Sequence, residues 1–448
     1  MESARRPPRP ALSVLAQTTR FLKDPFALLS DCRQECGDIF ALKILGMGEW
    51  VFLCSPPLVE EMLKAPDDYL SAGEFNHQFL AYLLGSDSMI AKDGTDHRLR
   101  RSLLSPFLNG KEATGHTSVS RRITEETIQS WPLREEFSLL PHTTMITLRL
   151  LVATITGIRD RQRLDKLVDL ASEFFEEALK SRLMLMPQLQ WDLGKWSPWG
   201  RILWLREQLR QALEVEIEAR RRDCESPPQD ILSALVMARD SSGEPFANET
   251  ILDEIVNLVS AGQETSSRIL AWAVRGILQN PQALNRIREE ILETLGDRPI
   301  EPEDLPRLQF LGAVVDEAIR FQPLGPFIGA RRTKKPFVIG GFVMPEGSIV
   351  AHCQAEISQR EDLFQQPNGF HPENFYEQSF GSYDWCPFGG GARTCLGRGL
   401  ALTHIKAVLA TLFQHAELKL CQSDVKPVTG GFLLVPEDGL LVELEARH

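Results

Sequence analysis

Residues 388–397 read Phe-Gly-Gly-Gly-Ala-Arg-Thr-Cys-Leu-Gly, and a helical pattern follows from Arg398 to Phe413. Three consecutive glycines let the backbone turn tightly and direct amide N–H groups towards one sulfur. A cysteine just before a helix N-terminus has its thiolate form favoured by the helix dipole, and Arg393 adds positive charge beside it. The stretch therefore predicts that Cys395 binds a metal. The alternative is a glycine loop that carries an incidental buried cysteine.

The composition is that of an ordinary globular protein: 448 residues, 43% of them hydrophobic, with a formal charge of −12. This negative charge disfavours non-specific binding to nucleic acid or to anionic lipid. The N-terminal stretch has no apolar run long enough for a signal peptide or a membrane span, so we expect a cytoplasmic chain. Residues 1–20 are predicted to be a disordered leader, and residues 21–448 a single domain. The eight cysteines are scattered, which argues against a disulfide framework.

The periodicity of apolar residues predicts a mainly α fold with a minor β region. Helical patterns cover residues 117–130, 145–156, 161–183, 201–222 and 250–279. Strand patterns cover residues 336–351 and 429–436, and the segment Gly-Leu-Leu-Val-Glu-Leu near the C-terminus. The stretches near 187–200, 225–247 and 296–306 are predicted to be loops.

One predicted helix, from Ile251 to Gln279, is long enough to cross a whole domain, at roughly 45 Å for a rise of 1.5 Å per residue. Asn248 or Thr250 would begin it, and Asn280-Pro281 would end it. Small residues interrupt its apolar pattern at Ala261-Gly262, and Gly in a helix interior costs about 1 kcal/mol relative to Ala. The sequence therefore indicates a functional gap in the middle of this helix.

Residues 388–397 resemble the FxxGxRxCxG signature of the cytochrome P-450 family, with every fixed position filled. The resemblance extends over about residues 90–440, and is strongest to soluble bacterial members, including cyanobacterial-type ones. It implies a cytochrome P-450 fold with a long central helix over the haem. It also implies a haem-dependent monooxygenase that contains haem b, with Cys395 as the ligand to iron, because a thiolate ligand favours O–O cleavage.

The resemblance assigns further residues to the haem and to the fold. Glu317 and Arg320 form the ExxR pair, and Asn374 stands where the family usually has an arginine that bonds this pair. A neutral amide lacks charge assistance, so we expect a somewhat weakened but intact lock. The residues predicted to bind haem, besides Cys395, are His97, Arg101, Arg331, Phe388, Arg393 and Gly397.

Glu264 and Thr265 are the predicted catalytic residues, because an acid and an alcohol could position water and deliver protons to dioxygen. The alternative for Thr265 is a hydroxyl bonded to its own helix turn. The substrate is predicted to be a hydrophobic small molecule, such as a fatty acid, a terpenoid or another secondary metabolite. Walls are expected from residues 75–90, 183–199 and 256–260, and the individual pocket residues predicted are Ala261, Gly262, Phe327, Ile328, Phe432 and Leu433.

Electrons are expected from a separate partner, a ferredoxin with its reductase or a flavodoxin, because the chain has no GxGxxG motif and no clustered cysteines. A basic patch would attract this partner; its predicted members are Arg98, Arg100, Arg393, Arg398 and Lys406. The chain is predicted to be a monomer. Two alternatives remain: a haem-thiolate isomerase, lyase or peroxygenase, and a non-catalytic haem or ligand sensor.

Overall fold

The computed structural model describes residues 5–180, 191–222, 229–430 and 433–448. Helices predominate among them, as the periodicity predicts. In chain order they are α1 Val14–Lys23, α2 Pro25–Cys36, α3 Pro56–Leu63, α4 Ala72–Leu84, α5 Gly94–Leu108, α6 Gly110–Gly115, α7 Thr117–Ser130, α8 Leu140–Thr156, α9 Arg161–Lys180, α10 Pro198–Arg222, α11 Ile231–Met237, α12 Asn248–Gln279, α13 Pro281–Leu295, α14 Gln309–Phe321, α15 Gln354–Ser358, α16 Glu373–Tyr376 and α17 Arg398–His415.

The strands are short and form four small sheets in the described part of the chain. The largest sheet has the order β1-β2-β8-β5-β3, and the others are β4-β12-β9, β10-β11 and β6-β7. The strands are β1 Ile39–Ile44, β2 Gly48–Leu53, β3 Leu70–Ser71, β4 Glu136–Ser138, β5 Ile328–Thr333, β6 Phe337–Ile339, β7 Phe342–Met344, β8 Ile349–His352, β9 Ala416–Leu420, β10 Pro427–Gly430, β11 Leu433–Pro436 and β12 Leu441–Arg447. The prediction of a mainly α fold with a minor β region is confirmed.

Contacts divide the described chain into two compact units. The first comprises residues up to 79, residues 90–94 and residues 312–396, and it contains the five-stranded sheet. Side chains alternate between the two faces of a strand, so this sheet buries one core on each face. Phe40 and Phe52 belong to one core, and Val51 and Leu53 to the other. The prediction of one domain over residues 21–448 stays a prediction.

Residues 5–20, where we expected a disordered leader, carry defined structure in the first unit. The amide of Ala41 donates to the Pro8 carbonyl at 2.8 Å. Helix α1 then begins after Ser13, whose hydroxyl accepts from the Ala16 amide. The segment is ordered because its backbone and Gln17 provide hydrogen bonds that the β1 region would otherwise lack, including one from the Lys43 amide to Gln17 Oε1.

The second unit comprises residues 80–89, 95–311 and 397–448. Its longest element, α12, packs along α8, and both helices are largely buried. Helix α12 ends at Gln279, and Asn280 then begins α13 by accepting from the Ala283 amide at 3.1 Å. The predicted end at Asn280-Pro281 is therefore confirmed.

The predicted loop at 225–247 is wrong in part, because α11 lies within it. The Asp230 carboxylate accepts from the Ser233 amide at 2.7 Å and caps this helix, a capping signal that sequence analysis missed. Across the described ranges, no helix combines the length and the apolar character that a membrane span requires.

Candidate functional site

The glycine loop around Cys395 lies in the first unit and packs closely on the end of α3. Gly389 and Gly391 have φ values of +67° and +64°, which side chains rarely tolerate. A Cβ on Gly391 would lie 2.6 Å from the Leu63 carbonyl oxygen, and a Cβ on Gly390 would lie 2.7 Å from Leu63 Cδ1. The three glycines thus serve the approach of the loop to α3 as well as its turn.

Two hydrogen bonds close this loop. The Cys395 amide donates to the Phe388 carbonyl at 2.8 Å, and the Gly389 amide donates to the Cys386 carbonyl at 2.9 Å. The side chain of Cys395 is exposed, whereas that of Cys386 is buried. Gly397 is the N-cap of α17, so Cys395 lies two residues before the helix cap, as predicted. Because the Cys395 side chain is exposed, the alternative of an incidental buried cysteine does not hold.

Two arginines predicted to bind haem also lie in the first unit. Arg393 pairs with Asp93 and donates to the Lys92 carbonyl. Arg331, in β5, is only 4% exposed, and its Nη1 donates to the Met62 carbonyl at 3.1 Å. Burial lowers the pKa of Arg331 below its usual range, and the nearby charge of Arg393 lowers it further.

Arg331 is a buried cation that an anion would stabilise. Arg331 forms no ion pair with a described carboxylate, although the charges of Asp67 and Asp93 partly offset the lowering of its pKa. A buried cation without a close ion-pair partner is costly, so this position favours an anionic ligand such as a haem propionate. Together with the exposed Cys395 thiol, a donor suited to haem iron, Arg331 makes the first unit fit haem.

The ExxR pair forms a closed network in the first unit. Arg320 Nε and Nη2 donate to the two Glu317 oxygens at 2.7 and 2.6 Å, and both side chains are fully buried. The remaining donors reach the carbonyls of Ser358, Pro367 and Gly369 at 2.7–2.9 Å. Glu317 Oε1 also accepts from the His371 amide at 2.6 Å.

Asn374 does not take the role predicted for it. Its side chain bonds the backbone of Gln365 on both sides: Oδ1 accepts from the amide at 3.0 Å, and Nδ2 donates to the carbonyl at 3.3 Å. The expected bond to Glu317 is replaced by this clip, which closes the segment that carries the Pro367 and Gly369 carbonyls. Asn374 therefore acts on the ExxR pair through the backbone.

The predicted catalytic pair lies in α12, in the second unit. The Thr265 hydroxyl donates to the Ala261 carbonyl at 2.8 Å, which is the back-bonded arrangement named as its alternative. Glu264 forms an ion pair with Arg268 one turn later. Burial raises the pKa of the Glu264 carboxyl above its ordinary value, and the charge of Arg268 opposes that rise. Glu264 therefore holds a proton more readily than an exposed glutamate does.

Ala261 and Gly262 have different surroundings. Ala261 is exposed, although α12 is otherwise largely buried. A Cβ on Gly262 would lie 2.9 Å from Leu151 Cδ1, so its missing side chain lets α8 approach α12. The predicted gap is thus at Ala261, while the glycine is explained by helix packing.

The other predicted residues are distributed over both units. In the second unit, His97 is buried and Arg101 half-buried, one turn apart on α5. In the first unit, Phe327 stacks on Phe21 with ring centroids 6.2 Å apart, and Ile328 is half-buried in β5. Leu433 begins β11 in the second unit. Phe432 and residues 183–190 lie outside the described residues.

Two members of the predicted basic patch are held in ion pairs. Arg100 is 7% exposed and donates to Glu254 at 2.8 Å as well as to Asp87. Arg393 is held by Asp93. Neither offers its charge to a partner, because each guanidinium is neutralised inside its own unit. Arg98 and Arg398 are exposed, and Lys406 donates to the Leu305 carbonyl.

Two groups of this site were not predicted from the sequence. Asp93 holds Arg393, and it also accepts from the Gly73 amide at 3.0 Å. Its position directly before the glycine that begins α5 was the available signal. No sequence signal pointed to the Met62 carbonyl that accepts from Arg331, because any residue can supply a backbone acceptor.

The chain matches the sequence profile of the cytochrome P-450 family over residues 5–443. It is 29% identical over 446 residues to a Mycobacterium tuberculosis protein named cytochrome P-450 138, covering 99% of this chain and 97% of the relative. A second protein of that organism, named cytochrome P-450 135B1, is 27% identical over 449 residues, with 99% and 92% covered.

Solved structures show the same fold. Retinoic acid-bound cyanobacterial CYP120A1 aligns with a TM-score of 0.84 at 23% identity, covering 99% of this chain and 100% of that one. The heme domain of cytochrome P-450DA aligns with a TM-score of 0.85 at 20% identity, covering 99% and 98%. At these identities the likeness concerns the fold alone.

Proposed function

Since the chain belongs to the cytochrome P-450 family of haem-dependent monooxygenases, we propose that it inserts one oxygen atom of O2 into a C–H bond or a double bond of a hydrophobic small molecule. The family, fold, haem b cofactor and monooxygenase class that the resemblance implied are confirmed. The substrate, the redox partner and the roles of individual residues belong to the proposal.

The observation that carries the proposal is the exposed side chain of Cys395 in a closed loop just before α17. Cys395 would hold the haem iron, and thiolate-bound haem supplies the activation of dioxygen that the reaction requires. The glycines fix the loop against Leu63, so that the sulfur is held in place before haem binds. Phe388 and Gly397 flank it and would line the same side of the cofactor.

Arg331 and Arg393 would orient the cofactor through its propionates, together with His97 and Arg101. Arg331 supports this role most directly, because it is a buried cation that forms no ion pair among the described residues and only feels the charges of Asp67 and Asp93. Arg393 is already paired with Asp93, so its contribution would be a shared hydrogen bond.

Glu264 and Thr265 would deliver protons. The Thr265 hydroxyl uses its hydrogen on the Ala261 carbonyl, which leaves its oxygen lone pairs as acceptors for water. Glu264 can take up a proton because burial raises its pKa, and Arg268 holds its position. A relay from Glu264 through water to the exposed face at Ala261 and Thr265 is the sequence of transfers that we propose.

The substrate would be an apolar molecule, such as a fatty acid, a terpenoid or another secondary metabolite. Aromatic packing around Phe327 in the first unit supports this class: Trp50 lies edge-on to it at 5.1 Å and Phe52 at 5.7 Å. The relative CYP120A1 was solved with retinoic acid, an elongated isoprenoid carboxylic acid. An elongated isoprenoid is accordingly the first type of compound to screen.

Electrons would come from a ferredoxin with its reductase or from a flavodoxin. Arg98 and Arg398, both exposed in the second unit, are the members of the predicted basic patch that would contact this partner. A monomeric state and a cytoplasmic location complete the proposal.

Turnover with isotopically labelled dioxygen tests this function. The holoenzyme, a ferredoxin reductase system and a screened isoprenoid are incubated under 18O2, and the product is analysed by mass spectrometry. We expect one labelled oxygen per product and no product without reductant. Product formed without reductant would establish the isomerase or lyase alternative, and product dependent only on hydrogen peroxide would establish the peroxygenase. Haem binding without any turnover would favour a sensor.

A further inference from the structure

A small apolar cavity lies inside the second unit, between α8, α9, α10 and α12. Its volume is about 20 Å³, and every residue that lines it is buried. The lining residues that matter below are Val152, Thr156, Ala171, Leu213, Val256 and Val259.

Among the described lining residues, no polar group is available to water. The one hydroxyl, that of Thr156, donates to the Val152 carbonyl at 2.6 Å and lies 3.4 Å from the Ile158 amide. A buried water needs two to four polar partners, whereas apolar cavities stay dry and take up xenon or small hydrocarbons. The volume slightly exceeds that of one water-sized sphere, roughly 10–15 Å³, so the cavity suits a gas rather than a substrate.

The cavity persists because its walls cannot collapse into it. Val152, Val256 and Val259 are β-branched residues in helices, and such side chains have one strongly preferred rotamer. Ala171 is too short to reach across the space. Four packed helices hold these walls apart.

The seam between α8 and α12 leads from this cavity towards Ala261. Val256, Val259 and Gly262 follow each other at intervals of three residues, on one face of α12. Leu151 is adjacent to Val152 in α8 and occupies the place of the missing Gly262 side chain. Leu151 thus lies on the seam between the lining residue Val152 and Gly262, the neighbour of the exposed Ala261.

We propose that this cavity binds dioxygen as a small apolar gas and supplies it along the α8–α12 seam. The identity of the gas rests on the proposed monooxygenase function, whereas the gas-binding property rests on the cavity alone. The two parts are therefore tested by separate measurements.

Xenon is the probe for the cavity, and the apparent KM for dioxygen is the probe for supply. Crystals of the holoenzyme are pressurised with xenon, and turnover is measured over a range of dioxygen concentrations. Ala171→Leu fills the space from α9, and Val152→Ile fills it more gently from α8 if the larger change impairs folding. Val215→Ile adds the same methyl group as Val152→Ile, but at an exposed position of α10, and serves as the matched control.

We expect xenon density in the cavity of the wild type and of Val215→Ile, and its loss in the filled variants. The filled variants should also show a severalfold higher KM for dioxygen with kcat retained. Absence of xenon from the wild-type cavity overturns the gas site. Xenon binding with an unchanged KM in the filled variants overturns the supply of dioxygen. Xenon binding in a wild type without monooxygenase activity overturns the proposed function but not the gas site.

Discussion

Arg320 uses its buried guanidinium to bond one carboxylate and three backbone carbonyls. Arg320→Ala would leave the Glu317 carboxylate buried without its counter-ion, and removal of one partner of a buried pair costs about 3–5 kcal/mol. We expect a loss of that size in the free energy of unfolding, measured in urea. Lys335→Ala, which breaks an exposed pair with Asp68, is the control and should change little. A small effect of Arg320→Ala would contradict the closed network.

Two explanations of Asn374, a weakened lock and a clip on Gln365, predict opposite effects of Asn374→Arg on the free energy of unfolding. If the lock were weak for want of the family's usual arginine, Asn374→Arg would stabilise the protein. The clip on Gln365 predicts the reverse, because the change removes two hydrogen bonds and forces a long side chain into a site that is 2% exposed. Unsatisfied buried backbone groups cost about 1–3 kcal/mol, and we expect that loss in urea unfolding.

At the residue scale, a contact between side chains was predictable from the sequence where both belong to one element. The Glu317–Arg320 pair is of this kind, because spacing along one helix brings the two groups together. The partner of Asn374 could not be predicted, since it depends on how residues 365–374 fold back. Arg100 and Arg393 were assigned to a surface patch for the same reason: their partners Glu254 and Asp93 are set by tertiary packing.

At the scale of elements, α12 carries the proposed proton relay. Thr265→Ala removes the hydroxyl at the exposed face, and general acid–base groups contribute about 10²–10⁴-fold to rate. We expect at least tenfold less product per electron consumed, with hydrogen peroxide released instead. Product and reductant are measured in the same reaction. Thr127→Ala removes a hydroxyl that is likewise back-bonded, to the Ile123 carbonyl at 2.7 Å, and should leave the ratio unchanged.

Equal coupling in Thr265→Ala and in wild type would show that the Thr265 hydroxyl only satisfies its helix turn. Unfolding in urea should be nearly the same for both threonine variants, because each loses one local hydrogen bond. The coupling ratio therefore separates the catalytic role from the structural one.

The extent of α12 was predictable, whereas the reason for its glycine was not. Apolar periodicity placed the helix, and Asn280-Pro281 ended it where the structure does. Gly262 suggested a gap, but its missing side chain accommodates Leu151 of α8. Such a contact depends on the partner helix, about which the local sequence carries no information.

At the scale of the whole molecule, both units contain a buried histidine that burial keeps neutral: His352 in the first unit and His404 in the second. Burial lowers the pKa of both to about 3, and His116 lowers that of His404 slightly further. An unfolded histidine has a pKa of about 6.5. Above about pH 6.5, both side chains are therefore neutral in the folded and in the unfolded protein. Below that pH, the histidines take up a proton when the protein unfolds, whereas in the folded protein they stay neutral down to about pH 3.

Stability should consequently fall as the pH decreases from about 6.5 towards 3, by up to about 1.4 kcal/mol per pH unit for each histidine. Urea unfolding at pH 7.5 and at pH 5 measures the difference, which we expect to be roughly 2 kcal/mol per histidine. His352→Gln and His404→Gln should each reduce this difference between pH 7.5 and pH 5 by the contribution of one histidine. His77→Gln, at an exposed position, should remove none. Equal pH dependence in all variants would contradict the neutral buried state.

Haem ligation by Cys395 is tested most directly by the optical difference spectrum of the dithionite-reduced holoprotein with carbon monoxide. Wild type, Cys395→Ser and Cys421→Ser are compared; Cys421 is the matched control, because it is also exposed. We predict a Soret band shifted strongly to the red in wild type and in Cys421→Ser, and its absence in Cys395→Ser. A wild-type spectrum typical of histidine-ligated haem, or an unchanged band in Cys395→Ser, would contradict the assignment of Cys395.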